Sequence, residues 1–324
     1  MSNLPPQDES NRRNPAGELH AQMKATRADF ERQLEAKRLQ FDLANNRLTQ
    51  RAGRNIIGAV AIGVAMGVLL VLSLVLVKAL FMVFVAVLLG MGSFELATAL
   101  RKMGERVPRT PAVVTTLAAI PATYYWGMLA TVAVILAGIG VTALWRLIEA
   151  MFGGHPATQY QFGRDVAASA FVQGYVTLLG CFAVGLVAQP DGQWWALAFL
   201  LIVISVDTGA YVSGLNFGKH PMAPKISPKK TWEGFAGAAL FAIVMGILLS
   251  LFMLGQPWWF GIIFGVVILT TATLGDLGES HLKRIIGIKD MSSWLAGHGG
   301  FLDRLDSVLP SCLAAYVVFM LVAH

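Results

Sequence analysis

The segment Gly275–Ser307 reads GDLGESHLKRIIGIKDMSSWLAGHGGFLDRLDS and concentrates charged residues in a chain that is mostly apolar. Its charged and titratable residues include Asp276, Glu279, Asp290, Asp303, Asp306, Lys283, Arg284, Lys289, Arg304 and His298. Strongly apolar runs precede and follow the segment, which places these charges at or near a membrane surface. Charged residues in such a place are costly unless they are paired, and they indicate a functional site. We therefore expect the rest of the chain to be a scaffold that brings a lipid to this segment.

The composition excludes an ordinary soluble protein. The 324 residues are 56% hydrophobic and only 14% charged, whereas a soluble domain has about 25% charged residues. Several runs of about 20 apolar residues are each long enough to cross the core of a bilayer. The sequence therefore predicts an all-α polytopic integral membrane protein with a polar active site that faces the cytoplasm.

The apolar runs indicate about nine transmembrane helices. We place them at residues 55–77, 79–99, 110–125, 127–148, 167–188, 193–213, 234–254, 257–275 and 306–323. The third span is short, and only a break at Trp126 and Gly127 separates it from the fourth, so a count of eight or ten is also consistent with the sequence.

Basic residues alternate between the connections of these spans. The first, third, fifth and seventh connections contain only Lys78, whereas the second, sixth and eighth each contain four bases. For the fourth connection we count Arg164 and Arg146, which stands near the end of the preceding span. By the positive-inside rule, the amino terminus and the basic connections lie in the cytoplasm and His324 lies outside. The compact architecture favours the plasma membrane of a bacterium. We expect no nucleic-acid partner, because no recognition motif occurs and topology segregates the bases.

The chain divides into two regions. Residues 1–54 form a cytoplasmic extension with a polar start that is expected to be disordered, followed by a predicted solvated helix at about 17–51. That helix either lies against the protein or membrane surface or binds a partner. Residues 55–324 form the transmembrane domain.

The acids of the opening segment are spaced for a metal site. Asp276 and Glu279 are three residues apart, as are Asp303 and Asp306, so on a helix each pair points to one side. Carboxylates brought together repel one another unless a cation joins them, and Mg²⁺ takes one or two carboxylates together with phosphate oxygens. Asp–Arg ion pairs that only neutralise each other at the end of a span are the alternative.

The bases and glycines of the same segment suit a phosphorylated substrate. Lys283, Arg284 and Lys289 match the charge of a polyphosphate. His298 stands among Gly297, Gly299 and Gly300, where backbone N–H groups can approach an anion closely. Carboxylates, bases and glycines together indicate metal-assisted phosphoryl or nucleotidyl transfer.

A second polar segment, Asp207–Gly234, reads DTGAYVSGLNFGKHPMAPKISPKKTWEG. Asp207 ends an apolar run, where an aspartate needs a metal or a partner. We expect the following residues, from Gly214 onward, to be ordered by turns and not to be helical. Lys225, Lys229 and Lys230 make this loop strongly positive. That charge fits either a phosphate-binding surface or contact with anionic lipid head groups.

The string SHLKR, then KD, then HGGFLDRLD resembles the signature of the phosphatidate cytidylyltransferases, or CDP-diacylglycerol synthases. The matching positions are Ser280, Lys283, Arg284, Lys289, Asp290, Ser292, Leu295, His298, Gly299, Gly300, Asp303, Arg304 and Asp306. The clear motifs lie within 207–307, which makes 55–324 a transmembrane cytidylyltransferase domain. Ala296 stands where the family usually has proline or glycine, and Leu215 where a basic residue is expected.

The resemblance implies that CTP and phosphatidate react to give CDP-diacylglycerol and pyrophosphate in phospholipid biosynthesis. It implies a catalytic group of Asp276, Asp303, Asp306, Lys283, Arg284 and His298. The metal would be held by Asp276, Asp303 and Asp306, with Asp207 and Glu279 as further candidate ligands. It implies substrate contacts from Ser227, Lys229, Lys230, Thr231, Lys289, Asp290, Gly299, Gly300 and Arg304. Mg²⁺ or Mn²⁺, with K⁺ in similar enzymes, and a homodimer in the membrane are implied as well.

Three other readings of the sequence remain open at this point. A CDP-archaeol synthase would keep the CTP site and bind another lipid. A CTP-dependent polyprenol or phytol kinase would transfer the γ-phosphoryl group. A transporter or channel would use the buried acids to bind an ion, and it predicts ionisable residues in the middle of several spans.

Overall fold

The computed structural model describes residues 56–152, 158–292, 294 and 299–322. The predicted extension 1–54 and His298 lie outside the described residues. The helices are α1 (Ile56–Leu76), α2 (Lys78–Lys102), α3 (Arg109–Phe152), α4 (Gln159–Val172), α5 (Leu179–Ala188), α6 (Gly192–Phe217), α7 (Trp232–Phe252), α8 (Trp258–Ile286) and α9 (Val308–Val322). A π-helical turn, Gln173–Leu178, joins α4 to α5, and a 3₁₀ turn, Leu302–Arg304, precedes α9. Two short strands, β1 (Pro221–Ala223) and β2 (Ser227–Thr231), form an antiparallel hairpin.

Among the described residues, six helices are long and apolar enough to cross a membrane. They are α2, α3, the continuous helix from Tyr160 to Ala188, α6, α7 and α8, and the apolar helix α9 is shorter. Large apolar side chains such as Leu129 and Phe252 point outward, which suits contact with lipid. The predicted all-α integral membrane protein is confirmed as a nearly all-helical one, since the described residues also contain the two-stranded hairpin. The count of nine spans stays a prediction.

The break predicted at Trp126 and Gly127 is present inside α3. Gly127 has a φ of 80° and a ψ of −174°, so α3 is two helices joined at this residue. A positive φ of this kind is available to glycine without steric cost.

Two polar regions are more helical than the sequence predicted. The loop expected from Gly214 onward is wrong in its first part, because α6 continues to Phe217. The predicted end of the eighth span at residue 275 is also too early, because α8 continues to Ile286. Asp276, Glu279 and Lys283 therefore project from one uninterrupted helix.

The expectation that Asp303 and Asp306 share an α-helix is wrong. Asp303 lies in the 3₁₀ turn, and Asp306 lies in the turn that follows it, before α9 begins at Val308. Backbone N–H groups bind the carboxylates here, and this local bonding replaces the helical hydrogen bonds of a regular first turn.

Small residues bring α6, α7 and α8 into close contact. A Cβ atom on Gly237 of α7 would lie 2.9 Å from the carbonyl oxygen of Gly209 of α6. A Cβ atom on Gly261 of α8 would lie 2.5 Å from the carbonyl oxygen of Gly246 of α7. Membrane helices without a hydrophobic driving force between them associate by such packing. This packing explains why α6 stays helical past Gly214.

Side-chain contacts assign the connections to two ends of the bundle. At one end, Lys78 Nζ donates to the carbonyl oxygen of Gln189 at 3.1 Å, and Gly185 packs near Met128, just after the break in α3. At the other end, the amide of Arg106 donates to Asp165 at 2.7 Å. The first, third and fifth connections thus share one end, and the second and fourth share the other.

A buried ion pair fixes this second end. Arg146 of α3 donates from Nε and Nη2 to Asp165 Oδ2 at 3.1 and 2.8 Å, and both residues are almost completely buried. Sequence reasoning counted Arg146 only as a loop charge. Its pairing ties α3 to α4 and to the connection that contains Arg106.

We expect Gly261→Ala to destabilise the protein by about 1–3 kcal/mol, because the added methyl group must push α7 and α8 apart. The control is Gly140→Ala in α3, where a Cβ atom would have no neighbour within 4 Å. Thermal unfolding in detergent measures both variants. Equal melting temperatures for the two variants would contradict the close packing of α7 on α8.

Candidate active site

A cavity of about 280 Å³ lies among α6, β2, α7 and α8. Its polar lining includes Asp207, Lys229, Lys230, Thr231 and Asp276. Apolar residues of the same helices, including Phe235, Ala238 and Ala272, complete the wall. The cavity therefore combines anionic and cationic groups with an apolar surface at the edge of the membrane helices.

The two carboxylates of the cavity come from different helices. Asp207 lies in α6 and Asp276 in α8, and both line the cavity. Lys230 Nζ forms an ion pair with Asp276 Oδ2, and Ser280 Oγ lies 3.4 Å from Asp276 Oδ1. The cavity thus unites the two segments that the sequence marked as polar.

The hairpin that carries Lys229 and Lys230 is fixed at both ends. Thr231 Oγ1 accepts a hydrogen bond from the amide of Gly234 at 3.1 Å and so caps α7. Glu233 accepts the amides of Lys219 and His220 at 3.1 and 3.2 Å. The lysines therefore stand on a rigid support beside the cavity.

Arg284 holds the hairpin from the opposite side. Its Nε donates to the carbonyl oxygen of Ile226 at 3.3 Å. The end of α8 is thereby joined to the turn between β1 and β2. In this structure the guanidinium of Arg284 orients the hairpin that carries the cavity lysines.

A second group of charges surrounds Lys283. Its Nζ donates to Asp303 Oδ1 at 2.9 Å and lies 3.4 Å from Glu279 Oε1. Asp303 also accepts the amides of Gly300 at 2.7 Å and Met291 at 3.0 Å. Burial alone would raise the pKa of Asp303, but these hydrogen bonds and the ammonium of Lys283 outweigh it, so its pKa is lowered.

Asp306 joins the two groups. Its Oδ1 accepts the amide of Ser307 at 2.7 Å. Burial first, and then the carboxylates of Asp276 and Asp207, raise the pKa of Asp306 above its usual range, although the amide of Ser307 opposes them. A Cβ atom on Gly275 would lie 2.2 Å from the carbonyl oxygen of Asp306. A glycine at 275 therefore lets this turn approach α8.

Glu279 is buried without a hydrogen bond. Its exposure is 1%, and neither carboxylate oxygen has a hydrogen-bond partner in the described part of the chain. Lys283 at 3.4 Å provides charge but not hydrogen-bond geometry. An ionised carboxylate buried in this way is costly, and its two oxygens without hydrogen bonds fit the requirement of a cation ligand.

The donor set suits a hard divalent cation. Within the described residues, no three acidic, histidine or cysteine side chains converge closely enough to form a complete metal site. Mg²⁺ does not require one, because it usually takes one or two carboxylates together with water and phosphate oxygens. Asp207 and Asp276 in one cavity fit that requirement.

The remaining predicted residues lie around this core. Ser227 begins β2, and Lys289 and Asp290 are exposed in the loop after α8. Gly299 has a φ of 80°, and the amide of Gly300 already binds Asp303. Arg304 is exposed at the end of the 3₁₀ turn and takes part in interactions there.

Comparison with known proteins decides the family. Residues 57–322 match the model of the cytidylyltransferase family. The chain belongs to the cytidylyltransferase family. The resemblance drawn from the SHLKR and HGGFLDRLD motifs is thereby confirmed.

This cytidylyltransferase is similar to curated relatives over most of its length. A phosphatidate cytidylyltransferase of Mycobacterium bovis is 38% identical over 279 residues, which cover 84% of this chain and 91% of the relative. One from Mycobacterium leprae is 37% identical over 284 residues, covering 84% and 90%. One from Haemophilus influenzae is 43% identical over 122 residues, covering 36% and 42%.

Sequence reasoning missed one residue at the site of this cytidylyltransferase. Glu95 of α2 is 2% exposed and accepts hydrogen bonds from Ser292 Oγ at 2.5 Å and from the amides of Phe301 and Leu302 at 3.0 and 2.8 Å. A lone acid within an apolar span is a recognisable signal. That signal was present in the sequence but lay far from both polar segments.

We expect Lys283→Met to lower the free energy of unfolding by about 3–5 kcal/mol, because buried Glu279 would lose its ammonium neighbour. Adding Glu279→Gln should restore part of this loss, since the uncompensated charge is removed. Lys289→Met, at an exposed lysine, is the control and should have little effect. Denaturant unfolding in detergent checks the series, and a double variant no more stable than Lys283→Met would contradict the coupling.

Proposed function

We propose that the protein transfers the cytidylyl group of CTP to phosphatidate, which gives CDP-diacylglycerol and pyrophosphate for phospholipid biosynthesis. The observation that carries the proposal is the cavity in which Asp207 and Asp276 face Lys229 and Lys230 between membrane helices. The lysines match the negative charges of a nucleoside triphosphate and an anionic lipid, and the carboxylates match a divalent cation. The names of the relatives that cover 84% of the chain support the same reaction.

The reaction is a displacement at phosphorus. A phosphate oxygen of phosphatidate attacks the α-phosphorus of CTP, a new P–O bond forms, and the bond to the bridging oxygen breaks to release pyrophosphate. The attacking phosphate is already anionic, so no activated protein nucleophile is needed. The protein's task is to hold two anions together in line, which requires positive charge and fixed geometry.

The lysines and arginines would supply that positive charge. Lys229 and Lys230 stand on the fixed hairpin and would hold the triphosphate. Lys283 and Lys289 would contact the phosphates from the end of α8 and the loop after it. Arg284 would act by orienting the hairpin through Ile226. His298, Gly299 and Gly300 would shape the loop over the nucleotide, and Ser227, Thr231, Asp290 and Arg304 would complete the substrate contacts.

The carboxylates would hold Mg²⁺ or Mn²⁺, with K⁺ as a companion ion. When bound, the divalent cation would neutralise the charge that develops on the phosphates. We propose Asp276 and Asp306 as the main ligands of the divalent cation and Asp207 and Glu279 as further candidates. Asp303 would contribute through Lys283, because both of its oxygens already accept hydrogen bonds.

The membrane arrangement is part of the proposal. Nine spans would place the amino terminus, the hairpin and the loop before α9 in the cytoplasm, and His324 outside. The acyl chains of phosphatidate would lie along the apolar wall formed by Phe235, Ala238 and Ala272. A homodimer in the plasma membrane of a bacterium completes this picture.

The reaction is tested by pyrophosphate release from purified protein in detergent with CTP, phosphatidate and Mg²⁺. We expect release that requires phosphatidate, and a loss of about 100-fold or more in Asp276→Asn, because one charged group of the cavity is removed. Asp191→Asn is the control, since Asp191 lies in the turn before α6, away from the cavity, and its φ of 56° is tolerated by asparagine.

Each contrary result has a distinct meaning. Formation of CDP and a phosphorylated alcohol would identify a CTP-dependent kinase. Pyrophosphate release only with an ether-linked prenyl lipid would identify a CDP-archaeol synthase. Full activity in Asp276→Asn would remove this residue from the cation site.

The orientation is tested by labelling single cysteines with a membrane-impermeant maleimide in intact cells. We expect Gln256→Cys, in the turn between α7 and α8, to be labelled from outside. Lys225→Cys, in the hairpin, should react only after the membrane is opened. Cys181 and Cys312 are buried and should contribute little background. The reverse pattern would invert the proposed topology.

A further inference from the structure

Glu95 is a charged residue of α2 that the reaction described above does not use. It is 2% exposed and lies among apolar neighbours of the same helix, such as Leu96 and Leu100. Its Oε1 accepts hydrogen bonds from Ser292 Oγ and the amide of Phe301, and its Oε2 accepts the amide of Leu302. Both oxygens are therefore occupied by the segment that carries Asp303.

The loop lies directly on this carboxylate. A Cβ atom on Gly300 would lie 2.7 Å from Glu95 Oε2, so the backbone approaches as closely as glycine allows. Phe94, the preceding residue of α2, stacks on Trp294 with 5.3 Å between ring centroids. One turn of α2 thus contacts the chain at two places before α9. The first is at Ser292 and Trp294, and the second is at residues 300–302.

The contacts continue from Glu95 into the site. Phe301 and Leu302, whose amides bind Glu95, lead into the 3₁₀ turn that contains Asp303. Asp303 binds the amide of Gly300 and the ammonium of Lys283, which lies beside Glu279. The direction in which Asp303 presents its carboxylate therefore depends on where Glu95 holds the start of this turn.

A negative charge is costly in this position. A neutral acceptor could bind one or two of the same donors without that cost, but only a carboxylate offers two acceptor oxygens and no donor to three donors arriving together. A charged acceptor inside a membrane helix lowers the stability of α2 but fixes the backbone of residues 300–302. Its presence therefore indicates that fixing this backbone is important for function.

We propose that Glu95 is a positioning residue for cytidylyl transfer, which holds the backbone of Phe301 and Leu302 so that Asp303 and Lys283 face the bound nucleotide. This role rests on the proposed function. It does not require Glu95 to touch either substrate.

The test is Glu95→Gln, in which the amide group must present a donor where Glu95 accepted one. We expect kcat for pyrophosphate release to fall about 10- to 100-fold, as for a misplaced catalytic group, with little change in KM for phosphatidate. Deuterium exchange at the amides of residues 299–305 should become faster, while exchange elsewhere stays as in the wild type. Ser292→Ala, which removes one of the three donors, should give a smaller change in the same direction.

The control is Glu105→Gln, the same chemical change at a buried glutamate that pairs with Arg164. It should leave kcat per folded molecule and the exchange at 299–305 unchanged. Unchanged kcat and exchange in both Glu95→Gln and Ser292→Ala would overturn the proposal. The proposal would also be overturned if the activity of Glu95→Gln fell only in proportion to its loss of folded protein and exchange at residues 299–305 did not become faster. If the wild type releases no pyrophosphate, the proposed function fails, and the exchange measurement still decides whether Glu95 positions the loop.

Discussion

The ammonium of Lys283 lies at the centre of the charged region, and the arrangement of the acids around it depends on that position. It donates to Asp303 and lies 3.4 Å from Glu279, which has no hydrogen bond of its own. Without this cation, the carboxylates of α8 and of the turn before α9 would repel one another where little water is present to screen them. Asp207, Asp276 and Asp306 lie close by, and Lys230 forms an ion pair with Asp276. In the proposed reaction, a divalent cation and the phosphates of the substrates would complete this arrangement of charges.

Close helix packing makes this concentration of charge possible. Gly209, Gly237, Gly246 and Gly261 let three helix backbones approach one another, so their ends supply groups to one small cavity. The hairpin is then fixed by Glu233 and Arg284 at its two sides. The lysines thus stand on rigid elements, as electrostatic catalysis requires, because flexible charges would have to be reoriented during the reaction.

The sequence predicted the helical membrane class, the two polar segments and the family, because apolar runs and a long spaced motif are local signals. It did not predict that α6 and α8 continue past Gly214 and Gly275, since the packing that extends them comes from other helices. It placed Asp303 and Asp306 on one helix, whereas hydrogen bonds from loop amides hold them in successive turns. It passed over Glu95 and the Arg146–Asp165 pair, because the partners of these residues are distant in sequence and become visible only in the folded chain.

The hydrogen bonds of Glu95 have a consequence for biosynthesis. The carboxylate and the amides that it binds are separated by 206 and 207 residues. A nascent chain inserts its helices in order, so α2 enters the bilayer long before the ribosome has made the loop that needs it. The turn that contains Phe301 and Leu302 can take its final form only after these residues have left the ribosome and reached α2. A chain whose synthesis stops before this turn would leave the carboxylate of Glu95 without two of its three hydrogen-bond donors.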